Sequence, residues 1–314
     1  MRMIPPRDGY GKALLRLCAE DSRIVVLDAD VAKSTRTIWV KEQFPASFID
    51  MGVSEQDMIG TAAGLAMTGM IPYASTYSAF LTGRAYDQIR SAVCHDNLNV
   101  KMAGAHAGFS VGPEGAIHQS LEDVAMMRVL PNMAVVVPCD ALQVEKAVYA
   151  IRDVPGPCFV RFGREAAPVV TDADTPFEPG VARLIRDGGD VAIFANGIMV
   201  YEAIKAGEML AVRGYTALIA DIHTVKPLDA AFILSAAEKT GAVVTAEEHQ
   251  KSGGLGGAVA ELLSENAPAP VMRVGTDDIY GESGSPEDLM RKYGLTAEQI
   301  VASALAAMAM KRRG

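Results

Sequence analysis

The chain has 314 residues, half of them apolar and about a fifth charged, enough for two globular domains of roughly 150 residues each. Its formal net charge of −9 argues against a general nucleic-acid surface, although a few local cations would still serve an anionic small molecule. No apolar run reaches the roughly 20 residues of a membrane span, and the opening MRMIPPRDGYGK lacks the apolar core of a signal peptide, so a cytoplasmic protein without nucleic-acid or membrane partners is expected.

Residues 9–20 carry Leu and Ala at helical spacing, and 23–28 (RIVVLD) read as a buried strand. The polar DADVAKST loop follows that strand's carboxyl end, where ligands sit in open α/β sheets. Residues 48–52 read as a short strand, with Ser54 as N-cap of a helix starting near Glu55. That helix is dense in small residues (Gly60, Ala62, Ala63, Gly64, Ala66), which suits close packing at a subunit interface. Further strands are expected over 71–76, 99–105, 133–138 and 157–162, with helices over 80–94, near 121–129 and over 141–151. A glycine-rich loop spans 106–119. The stretch from 163 to 189 is proline-bearing and has no clean period. Beyond it, strands are expected near 190–195, 215–221, 242–247 and 271–274, and helices near 199–213, 229–239, 255–265 and 296–310. Apolar strands alternating with helices predict an α/β protein of two open, mainly parallel-sheet domains, at 1–165 and 190–314, joined by a linker at 166–189. The cysteines Cys18, Cys94, Cys139 and Cys158 are widely spaced, which suits buried thiols and neither a disulfide frame nor a zinc site.

Three strings carry more than periodicity. GVSEQDMIGTAAGLA centres on Glu55, a carboxylate that residue type alone would assign to the helix dipole. YSAFLTGRAYDQIR opens with Tyr77 and Phe80, which by themselves fit a core role. In HAGFSVGPEGAIHQ, two histidines, His106 and His118, flank glycines in a pattern that packing explains poorly and that has no ordinary zinc form. Together these strings resemble the pyrimidine-binding domain of transketolase-like, thiamine-diphosphate enzymes, and most closely the C-terminal subunit of split transketolases. DIHTVKPLD (221–229) and EEHQKSGGLGGAVAE (247–261) resemble the C-terminal domain of the same family, so the resemblance covers nearly the whole chain.

The resemblance implies that the subunit takes part in transfer of a two-carbon ketol unit from a ketose phosphate to an aldose phosphate. It assigns Glu55 to the ring nitrogen N1′ of the cofactor's aminopyrimidine, where a carboxyl group favours the imino tautomer that accepts the thiazolium proton. Tyr77 and Phe80 frame the pyrimidine, and Asp30 faces the cofactor. His106 and His118 bind and orient substrate and move protons. Arg7, Ser34, His106 and Arg164 match the phosphate-binding set, a chemistry for which arginine is favoured. Gly83 stands where long transketolases carry a third aromatic, and Pro113, Glu114 and Ile117 depart from the pattern beside the substrate, which leaves the exact sugars open. No G-D-G motif occurs, so no metal ligand is expected here. The diphosphate and Mg²⁺ are expected on a separate N-terminal subunit, in an α₂β₂ assembly around a dimer of this chain. Glu247 and His249 are expected at the domain contact or a subunit interface, and the glycines after them in close helix packing. The alternatives are a β subunit of a 2-oxo-acid dehydrogenase, a relative of deoxyxylulose-phosphate synthase, and a non-catalytic paralogous subunit.

Overall fold

The computed structural model describes residues 2–311. Met1 and residues 312–314, the outer ends of the two expected domains, lie outside the described residues.

The first sheet has seven strands in the order Thr224–Lys226, Ala134–Val136, Cys158–Arg161, Lys101–Ala105, Ile71–Tyr77, Ile24–Asp28 and Phe48–Asp50. All pairings are parallel except that of Thr224–Lys226 with Ala134–Val136. Ile24–Asp28, Lys101–Ala105 and Cys158–Arg161 are buried along their whole length. Helices cover both faces of a parallel sheet, so its inner strands are mostly apolar, and the charged residues at their ends, Asp28, Lys101 and Arg161, are buried with hydrogen-bond partners. Helices Pro6–Glu20 and Ala141–Ala150 pack together on one face, where a Cβ on Gly9 would lie 1.9 Å from the Ala141 carbonyl oxygen. Only glycine permits that approach. The helix Glu55–Met67 contributes Met58, Ile59, Ala62 and Ala63 to the core on the other face.

The second sheet has five strands in the order Val271–Thr276, Val243–Gln250, Val191–Ala195, Ala217–Asp221 and Arg183–Arg186, the last antiparallel. Helices Met199–Val212, Ala230–Thr240, Leu255–Asn266 and Ala297–Lys311 flank it.

The structure differs from the sequence reading in several places. Ser54 occupies the N-cap but makes no capping hydrogen bond through its side chain. The helix expected over 80–94 is broken into Ser78–Arg84, Tyr86–Gln88 and a π-helical turn Ile89–Cys94. The linker is partly ordered into sheet: Ala167–Pro168 pairs with Met3–Ile4, and Arg183–Arg186 edges the second sheet. Helix Pro286–Lys292 had no periodic signal. Strand Thr224–Lys226, from the DIHTVKPLD string, crosses over to pair with Val135 and Val136 of the first sheet. All four cysteines are free thiols; Cys94, Cys139 and Cys158 are buried and Cys18 is partly exposed.

Candidate active site

The strand Ile71–Tyr77 ends on Tyr77, and the helix that follows carries Phe80 one turn later. Their rings lie 6.0 Å apart. His106 follows the neighbouring strand Lys101–Ala105 and stacks on Tyr77 with centroids 4.3 Å apart. His118 returns from the glycine-rich loop edge-on to both aromatics, 5.8 Å from Tyr77 and 5.2 Å from Phe80. The carboxyl ends of adjacent parallel strands thus gather four of the expected residues.

His106 is fully buried at φ 56, in the left-handed region that non-glycine residues rarely adopt. Among the described residues neither of its ring nitrogens has a hydrogen-bond partner. Burial, reinforced by the positive charges of Arg7 and Arg164, pushes its imidazolium pKa down to about 3, so the ring is neutral. Each such orphaned buried group costs roughly 1–3 kcal/mol, a cost that an incoming polar ligand would remove. His118 is fixed differently: its Nδ1 lies 3.2 Å from the Glu114 carbonyl oxygen. A carbonyl only accepts, so Nδ1 carries a proton, and in the neutral ring Nε2 is the nitrogen with the lone pair.

Cations surround the histidines. Arg7 donates from Nη1 to the Ser34 carbonyl at 3.2 Å, and Tyr77 donates its hydroxyl to Ser34 Oγ at 3.1 Å. Burial and the nearby charges of Arg36 and Arg164 lower the Arg7 pKa, the mark of crowded guanidinium groups. Arg164 is held between Glu114 (3.3 Å) and Glu165 (2.8 Å). Arg36, which sequence reasoning missed, pairs with Asp8 at 2.6 Å. The short helix Ala32–Thr35 that bears Ser34, formed where the sequence suggested a loop, is held by Asp28, which accepts from the Val31 amide and from the Thr35 and Thr37 hydroxyls at 2.7–2.8 Å. Burial outweighs those three donors and raises the Asp28 pKa to about 6. Asp30 is exposed at φ 61, and among the described residues its carboxylate makes no hydrogen bond; the structure does not bring it to the aromatic group.

Glu55 stands at the first turn of its helix in a pocket of about 390 Å³ lined by Val53, Ser54, Gln56 and Arg84. Its side chain is only 4% exposed, and both carboxylate oxygens lie 3.2 Å from Arg84 Nη1. The Arg84 guanidinium also sits over Phe80, 4.1 Å from the ring centroid. Arg84 therefore links the carboxylate to the aromatic and histidine cluster. It lies within the YSAFLTGRAYDQIR string, the signal that could have found it.

The second sheet grips the histidine loop from behind. Glu248 accepts from the Ser110 amide at 2.5 Å and the Ser110 hydroxyl at 3.2 Å. Arg161 donates to the Glu248 and Ser120 carbonyls and pairs with buried Asp123 at 2.9 Å. Gln119 donates to the Gly112 and Glu282 carbonyls, and Phe109 stacks on Tyr293 at 4.3 Å. His249 accepts from the Ala125 amide, as a domain contact requires. Glu247 instead caps the helix Leu255–Asn266 through the Leu255 and Gly256 amides, so its contact is within its own domain. A Cβ on Gly254 would lie 2.0 Å from Glu247, which fits close packing of that glycine run.

This set suits the flat, polar half of thiamine diphosphate: a buried carboxylate, two aromatic faces and a neutral imidazole with both nitrogens unused. No group of three or more His, Cys, Asp or Glu residues placed to hold a metal occurs among the described residues. No described helix is long and apolar enough to cross a membrane.

Comparison with known proteins gives the same picture. Residues 2–169 match the transketolase pyrimidine-binding domain and residues 180–300 the transketolase C-terminal domain. The chain is 45% identical to the 6-deoxy-6-sulfo-D-fructose transketolase subunit SqwH of Clostridium sp. (strain MSTE9), over 95% of this chain and 92% of that one. It is 38% identical to one of the subunits of the apulose-4-phosphate transketolase of Phocaeicola vulgatus, over 96% of this chain and 97% of the relative. A solved structure described as a split gene transketolase, inactive beta4 tetramer, superposes with a TM-score of 0.93 at 48% identity, covering 98% of this chain and all of that one. The chain belongs to the transketolase family, as a split subunit with that family's pyrimidine-binding and C-terminal domains.

Proposed function

We propose that this chain is the C-terminal half of a thiamine-diphosphate-dependent transketolase that moves a two-carbon ketol unit from a phosphorylated ketose to a phosphorylated aldose. The observation that carries the reading is His106: neutral, buried, stacked on Tyr77, with both ring nitrogens unused amid the charges of Arg7 and Arg164. When bound, thiamine diphosphate supplies the nucleophilic carbon and the electron sink for breaking and forming the C–C bond. The residues of this chain do the rest. The Glu55 carboxyl hydrogen-bonds the aminopyrimidine, and Tyr77 and Phe80 exclude water around it. Asp30 borders the cofactor on the loop after the first strand. His106 offers one donor and one acceptor to the substrate, and His118 receives a hydroxyl proton at Nε2. Arg7, Ser34 and Arg164 bind the phosphate.

In this reading residues 1–165 form the pyrimidine-binding domain, 166–189 the linker and 190–314 the domain that holds the histidine loop. The diphosphate and Mg²⁺ are held by a separate N-terminal subunit in an α₂β₂ assembly, and copies of this chain alone are inactive, as the similar beta4 tetramer is described. The cation set around His106 favours phosphorylated sugars over the substrates of a 2-oxo-acid dehydrogenase. The test is a ketol-transfer assay with xylulose 5-phosphate, ribose 5-phosphate, thiamine diphosphate and Mg²⁺. It is run on the chain alone and on its complex with a diphosphate-domain subunit. Turnover only in the complex supports the reading. Turnover by the chain alone refutes the half-enzyme, and cofactor binding without turnover by the complex refutes these sugars as substrates.

A further inference from the structure

Glu55 and Phe80 are two of the groups proposed to hold the aminopyrimidine, and in the free chain one side chain already satisfies both. Arg84 places Nη1 at 3.2 Å from each Glu55 oxygen and its guanidinium 4.1 Å from the Phe80 centroid. Its backbone is tied down, because Gln56 donates from Nε2 to the Arg84 carbonyl at 3.0 Å. The side chain is free to move, being 50% exposed where Glu55 is 4% exposed.

A guanidinium and an aminopyrimidine present the same recognition pattern. Both are flat, both can offer an N–H to a carboxylate (the heterocycle from N1′ in its imino or protonated form), and both stack on an aromatic face. The guanidinium occupies one face of the Phe80 ring and the Nη1-facing edge of the Glu55 carboxylate, so a heterocycle that uses that face and that edge has to displace it. We propose that Arg84 is a resident stand-in for the aminopyrimidine: it covers Glu55 in the unassembled subunit and is exchanged for the heterocycle when the cofactor seats. This rests on the assignment of Glu55 to the pyrimidine made above.

The exchange has a physical benefit. A buried carboxylate left alone is costly, and Arg84 neutralises it until the partner subunit and cofactor arrive. It also has a measurable penalty, since the Glu55–Arg84 pair must break for binding to proceed. Arg84 is half-exposed, so the pair is worth little more than an ordinary surface ion pair, and its removal shifts affinity by about fivefold to tenfold.

The test is calorimetric titration of thiamine diphosphate with Mg²⁺ into the complex of this chain with a diphosphate-domain subunit. The variants are Arg84→Met, Arg84→Lys, Glu55→Gln and the Glu55→Gln/Arg84→Met double. Arg84→Met is expected to bind the cofactor about fivefold to tenfold more tightly, with Arg84→Lys near the wild type because the counter-ion is kept. Glu55→Gln is expected to bind more weakly, and in that background Arg84→Met is expected to change nothing further. Unchanged or weaker binding by Arg84→Met, beside a weakened Glu55→Gln, overturns the exchange and leaves the Glu55 assignment standing. An equal tightening in both backgrounds also overturns it, since the effect would not run through Glu55. Wild-type affinity in Glu55→Gln overturns the underlying assignment itself.

Discussion

Replacing Glu248 by Gln removes a charge that the fold holds at a cost. Glu248 is buried, and burial lifts its pKa from the ordinary 4.5 to about 7, with nearby Asp123 acting in the same direction. Arg161 and the two donors of Ser110 pull the other way and lose. Between pH 4.5 and 7 the folded chain therefore binds a proton that the unfolded chain has released. Stability falls as pH rises through that window and is flat above it. A shift from 4.5 to about 7, at 1.36 kcal/mol per unit, makes the fall about 3 kcal/mol. For a chain of this length that is roughly 6 °C in Tm. Gln keeps the shape and can accept from the Ser110 amide, but has no proton to lose. The assay is thermal unfolding of the wild-type and Glu248→Gln chains from pH 5 to 8. Part of the fall lies below pH 5, so the wild-type Tm is expected to drop by about 4–5 °C relative to the variant across that range. Parallel curves would refute the reasoning, because Glu248 would then titrate in the folded chain as it does in the unfolded one.

His106 is expected to remain neutral from pH 9 down to about pH 4, as its depressed pKa requires; a ring-carbon NMR titration with a midpoint near 6.5 for His106 would contradict this. Arg164→Gln is expected to raise KM for phosphorylated sugars about 10- to 100-fold and to leave kcat/KM for unphosphorylated ones unchanged, in steady-state assays of the complex. Gly104→Ala would place a Cβ 2.6 Å from both the Phe159 ring and Ser78 Oγ, which donates to buried Asp123. It is expected to cost about 2–3 kcal/mol in urea unfolding, and a cost below about 0.5 kcal/mol would mean that the strand yields more easily than its packing implies.

The parallel core strands were legible because burial on both faces demands unbroken apolar runs, and RIVVLD and PCFVRF supply them. The Glu55 helix was legible from its N-cap position at Ser54, its run of small residues and its motif. Strand Thr224–Lys226 was not, since a three-residue segment has no period and its partner near Val136 is remote in sequence. The break in the helix over 80–94 is a backbone event that side-chain spacing does not record. Among the site residues, Tyr77, Phe80, His106 and His118 come together as expected, and Arg7 reaches Ser34. Asp30, expected to face the cofactor, is exposed at a left-handed φ and is not part of that cluster. Arg84 stands in a motif string, but its pairing with Glu55 and that of Ser110 with Glu248 were not legible, for a common reason. Their members lie 29 and 138 positions apart, and no local pattern encodes which distant charge meets which.

The crossing strand Thr224–Lys226 has a consequence for how this protein could be cut or recombined. Without it, Ala134–Val136 would end the first sheet as a bare edge, with unpaired amides and carbonyls next to an apolar face. Chains truncated after the first domain should therefore stick to one another through that edge, even where each copy keeps its fold. Module exchange between relatives would have to move residues 224–226 with the first domain, or replace them with a blocking segment. A library that cuts at the linker and leaves this strand behind should return a larger share of insoluble clones than one that carries it along.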